Sequence, residues 1–126
     1  MSGLTTNRAN AYIDDSLGTS TRTAPTTPMK LSPETAAGSA GSAGTELGST
    51  TRPSIAFNAA SSGSATNSAQ VTVVAGASGT VVAIAIYDSA GTPVRFWWGA
   101  LTSNRTLVSG DSLVFAAAAV TASISS

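Results

Sequence analysis

A mainly β fold is predicted for this chain: an antiparallel β-sandwich or barrel-like domain with a short N-terminal helix and a Gly/Ser/Ala-rich extended arm. Three observations predict it. From Arg52 onward, short apolar runs alternate with Gly, Asn and Asp turn signals. Near the start, apolar residues recur at helical rather than strand spacing. Between these regions lies GSAGSAG, residues 38–44, inside a stretch of almost only Gly, Ser, Ala and Thr. Such a composition reads as a loop or arm. The 126 residues fit one structural domain, divided into a helix and arm over 1–51 and a β-sandwich over 52–126.

Residues 4–17 form the predicted helix. Thr5 or Thr6 can cap it, and Ala9, Tyr12, Ile13 and Leu17 share one face. Gly18 suits the left-handed residue that ends a helix. Residues 18–28, rich in Thr and broken by Pro25 and Pro28, are expected to be extended and irregular. Met29–Leu31 is a candidate strand, and the arm follows, carrying Glu34 and Glu46. Pro53–Phe57 places Ile55 and Phe57 on one face, SSGSATNS (61–68) is a loop, and Ala69–Val74 pairs Val71 with Val73. Thr80–Tyr87 is apolar on both faces, as in a strand covered on both sides. Val94–Leu101 should send Val94, Phe96, Trp98 and Ala100 one way and Arg95, Trp97 and Leu101 the other. Arg105–Val108, Leu113–Phe115 and Val120–Ile124 complete the strands, with AAAAV (116–120) as a turn or strand edge.

Composition excludes whole classes of function. There is no His and no Cys. Imidazole acids and bases, thiolate nucleophiles and the usual catalytic zinc sites are therefore ruled out. No catalytic residue, metal ligand or cofactor site is expected. Asp14–Asp15 reads as a solvated helix end or an inter-subunit contact with Arg. Asp88 and Asp111 read as turn residues that bond nearby backbone. Charged residues make up only 10% of the chain, with six basic against six acidic. The average soluble domain has about 25%. No basic stripe follows a nucleic-acid backbone, and no apolar run reaches the roughly 18 residues of a membrane span. A neutral surface of small residues favours self-association. Phe96-Trp97-Trp98 is the most informative cluster, because Trp and Arg are enriched at interface hot spots. Tyr12, Ile13, Arg52, Arg95 and Trp97 are the interface candidates.

A run of motifs in order also carries a resemblance. Gly44-Thr45-Glu46-Leu47 is followed by Arg52-Pro53-Ser54-Ile55-Ala56-Phe57, Val71-Thr72-Val73 and Ile84-Ala85-Ile86-Tyr87-Asp88. Trp98-Gly99-Ala100-Leu101-Thr102 and Val108-Ser109-Gly110-Asp111 come next, then Phe115-Ala116-Ala117. Over residues 44–124 the chain resembles short virion structural proteins of tailed bacteriophages, often labelled tail-fibre or minor structural proteins. The resemblance implies a virion protein made in the bacterial host cytoplasm, with no catalytic residues. The expected role is capsid decoration: a homo-oligomer, with a trimer among the options, bound to the major capsid protein or other virion proteins. A tail, baseplate or fibre-associated role is the alternative, and a carbohydrate-binding module using Trp97 and Tyr87 is a third.

Overall fold

In a computed structural model that describes residues 3–124, the regular structure is almost wholly antiparallel strand. In chain order these are β1 (Gly3–Leu4), helix α1 (Thr6–Ser16), β2 (Met29–Ala36), β3 (Thr45–Glu46), β4 (Ser54–Ile55) and β5 (Ser64–Thr66). They continue with β6 (Val71–Val74), β7 (Gly79–Tyr87), β8 (Arg95–Leu107), β9 (Ser112–Phe115) and β10 (Thr121–Ser123). A six-stranded sheet runs β1-β8-β7-β2-β3, with β4 also paired to β2; β5–β10 and β6–β9 form two separate ribbons.

The core lies between the large sheet and these ribbons. Leu31, Val81, Ile84, Ile86 and Leu107 of the sheet meet Val71, Val73, Leu113 and Val120 of the ribbon side. Alternation places Val71 and Val73 inward and leaves Thr72 and Val74 outward, as expected for a half-buried strand. Strand β7 is buried on both faces from Ala83 to Ile86, which matches its unbroken apolar run.

Strand β2 runs five residues past the expected end, through Pro33 to Ala36. A proline lacks the N–H that a central strand needs. Here Pro33 sits where β2's outer edge changes partner. Leu31 N–H donates to Pro53 O on the β4 side, and Leu47 N–H donates to Pro33 O on the β3 side. The missing donor falls in the gap between the two partners. Gly38–Gly44 is the connection from β2 to β3, and it is closely packed: a Cβ on Gly44 would lie 2.9 Å from the Glu34 side chain and 2.6 Å from Gly38 N. Only glycine fits there.

Three other expectations change. Part of the 61–68 loop is strand β5, paired with β10 through Ala65 and Ala122. The two strands expected at 94–101 and 105–108 are one strand, β8, interrupted by a slip in which Leu101, Thr102, Ser103 and Asn104 face the single residue Val82. Helix α1 buries no residue completely; Ala9 and Tyr12 are half-buried, while Ile13 and Leu17 are 54% and 72% exposed. The apolar face drawn from spacing is therefore only half used. Thr5 precedes the helix, but its hydroxyl donates to Arg95 O at 3.0 Å instead of capping it. Gly18 ends it in the expected left-handed conformation, at φ +74°.

Candidate assembly surface

A second slip in the β7–β8 register decides where the aromatic cluster points. Trp97 pairs with Ile86 and Arg95 with Tyr87, so Phe96 is an additional residue in β8. Such a bulge resets the alternation of side chains. Phe96 and Trp97 consequently line one cavity together with Ile86, instead of facing opposite ways. Trp98, paired with Ala85, belongs to the other face. The expected grouping of Phe96 with Trp98 fails for this reason.

That cavity, of about 320 Å3, is open at the surface and is lined chiefly by apolar groups, among them Tyr12, Met29, Phe57, Phe96, Trp97 and Ile124. The helix reaches it through Tyr12. The Arg8 guanidinium carbon lies 4.5 Å from the Phe96 ring centroid and 5.7 Å from that of Tyr12, and that of Arg22 lies 5.6 Å from the Tyr12 centroid. Cations over ring faces hold the helix against the sheet while leaving the cavity wall apolar. Ile13, the next residue of the helix, is exposed and does not line the cavity.

On the opposite face of the sheet lies a polar cluster. Glu46 accepts hydrogen bonds from Ser32 Oγ at 2.5 Å and from Arg52 at 2.7 and 3.2 Å. Burial alone would raise the Glu46 pKa, but these bonds outweigh it and hold the carboxyl below its ordinary value. Arg52 also stacks 3.8 Å from the Tyr87 ring centroid. Arg95 donates to Ser39 O at 2.6 Å. Glu34, only 1% exposed, completes the cluster, with burial pushing its pKa up. Among the described residues, no three or more His, Cys, Asp or Glu side chains gather as metal ligands.

The five interface candidates thus divide. Tyr12 and Trp97 share the apolar cavity, and Ile13 is exposed on the helix. Arg52 and Arg95 are on the polar face, occupied by internal bonds. Tyr87 and Trp97 cannot form one stacking platform: they point to opposite faces, and Arg52 covers the Tyr87 ring. Met29, Phe57 and Ile124 line the cavity but were not among the candidates. They come from segments far apart in the chain, and only the tertiary fold brings them together. Glu34 and Glu46, expected in a loose arm, are both in strands of the main sheet. Asp88 and Asp111 act as turn residues. Asp88 accepts N–H bonds from Val94, Thr26 and Ala90, and Asp111 from Val108.

The fold and this surface define a small, mainly β structural protein with an open apolar cavity between helix and sheet. Residues 3–123 match the model of the family described as podophage GP4 fiber I protein gp80, and the chain belongs to that family. It is a bacteriophage virion structural protein. No curated protein matches it.

Proposed function

We propose that this chain is a non-enzymatic, fibre-associated component of the phage tail that joins its neighbours through the apolar cavity beside helix α1. One observation carries the reading: aromatic and aliphatic side chains from the helix, β2, β8 and the β5–β10 region converge on an open cavity of about 320 Å3. Aromatic groups set in such a pocket are the usual anchors of a protein interface. The fibre description of the family supports the tail over the capsid shell. The partners are other virion proteins or further copies of this chain, with Tyr12, Ile13 and Trp97 as contacts. Decoration of the shell through the major capsid protein is the competing role. Gold-labelled antibody on intact virions separates them. Label confined to the tail apparatus is expected, whereas label spread over the shell at high copy number would replace the fibre reading with decoration.

A further inference from the structure

The Gly38–Gly44 connection closes over Glu34, and nothing in the assembly role explains why a carboxyl should be placed there. Glu34 is 1% exposed, and its Oε1 atom has no hydrogen-bond partner. Two donors on the same face of the sheet, Arg95 Nη1 and Trp98 Nε1, are also buried without partners. The connection is tied down at three points. Gly44 packs on the Glu34 side chain. Ser39 O accepts from Arg95 Nη2 at 2.6 Å, and Ala40 O accepts from Thr6 N–H at 2.8 Å. The last bond joins the connection to the first residue of helix α1, whose Tyr12 lines the apolar cavity.

We infer that residues 37–44 form a pH-sensitive latch: they close over protonated Glu34, open as Glu34 ionises, and release the start of helix α1 when they open. The charged groups facing Glu34 are Arg95 from β8, Glu46 from β3, and Arg52 with Tyr87 beside them. Arg95 and the N–H groups of Gly38 and Gly44 favour the carboxylate, but burial outweighs them and raises the pKa. An ionised Glu34 therefore gains by reaching water, and the small side chains of the connection let it move. A carboxyl whose pKa is raised in the closed form stabilises that form fully below its open-state value. The stabilisation is lost as pH rises through the raised value. Each unit of difference changes the opening equilibrium about tenfold.

Hydrogen-exchange protection factors, which divide out the intrinsic pH dependence of exchange, test the latch between pH 4 and 8. In the wild type, protection of residues 37–44 and of Thr6–Arg8 is expected to fall together as pH rises. Glu34→Gln should keep both segments protected at every pH. Gly44→Ala, which forces the connection off Glu34, should leave both unprotected throughout. Glu46→Gln should keep the fall in protection but move it to lower pH, because the Glu46 charge adds to the rise at Glu34. A wild-type profile flat with pH, or a Glu34→Gln profile that still falls, would overturn the inference. NMR on the wild type decides independently of any variant. The Gly38 and Gly44 amides must titrate with the midpoint of the Glu34 carboxyl carbon; a different midpoint refutes the coupling.

Discussion

Asn67→Ala should destabilise the fold by about 2–6 kcal/mol. Asn67 is 1% exposed and ties its own loop to the segment 116–120. Its Oδ1 accepts the Val120 N–H at 2.9 Å, and its Nδ2 donates to Ala69 O at 2.8 Å and Ala116 O at 3.0 Å. Its backbone adds Asn67 N–H to Val120 O and Ala118 N–H to Asn67 O. The alanine variant keeps the backbone bonds and loses the side-chain ones. Val120 is 3% exposed, so its N–H would be left unpaired in the core, at about 1–3 kcal/mol. Ala69 and Ala116 are exposed, so water can replace part of their bonds, and the net loss there is about 0.5–1.5 kcal/mol each. Urea unfolding followed by the fluorescence of Trp97 and Trp98 measures the sum. In a chain of this size the loss corresponds to roughly 8–24 °C in melting temperature. Asn67→Asp sharpens the test. It keeps the Val120 bond but sets a carboxylate against two carbonyls. It should be unstable at neutral pH and recover in acid, because a carboxyl with a raised folded pKa stabilises the fold only while protonated. A loss below about 0.5 kcal/mol for Asn67→Ala, the range of ordinary surface changes, would refute the reasoning.

Other predictions follow from single contacts. In Gly76→Ala the new methyl would strike Ser49 O and sit 2.9 Å from Thr50 N, so a loss of about 1–3 kcal/mol is expected in the urea midpoint. Asp88→Asn should lower stability at pH 7, because the N–H bonds from Val94, Thr26 and Ala90 outweigh burial and hold the Asp88 pKa below its ordinary value. That contribution is present above the unfolded-state pKa and disappears as pH falls through the lowered one, so wild type and variant should converge in acid denaturation curves. Ile13→Lys, at an exposed site, should leave stability within about 0.5 kcal/mol. It should nevertheless cut incorporation into particles, read by quantitative blotting of purified virions.

How far this fold could be read in advance depended on how local each feature is. Strand β7 declared itself because a strand covered on both faces must be apolar throughout. Val71 and Val73 declared their face through alternation, and Gly18 declared its helix end through the left-handed backbone it permits. Asp88 and Asp111 bond to nearby backbone, so their turn roles were visible in the residues around them. The run of β2 through Pro33 was not legible, because a proline is tolerated there only where two other segments meet at one point on the edge of β2. The direction of Phe96 and Trp97 was hidden for a similar reason. Strict alternation is a property of unbroken ladders, and no composition marks the residue at which β8 slips. Asn67 and Glu34 were read as loop and arm residues, since a buried polar role appears only when distant backbone or a glycine connection arrives to enclose them.

The other slip in β8 has a further consequence. Beyond Trp98, no strand among the described residues pairs with β8's outer edge. An open edge of that kind invites the sheet of another copy to add on. Most proteins discourage this with charge, yet this chain has few charges and no net charge to keep copies apart. The outward step at Leu101–Asn104 breaks the edge into lengths too short and too misaligned to template a neighbouring strand. Crowded copies can then meet through side chains, which can be selective, while the indiscriminate bonding of bare backbone is blocked by shape alone.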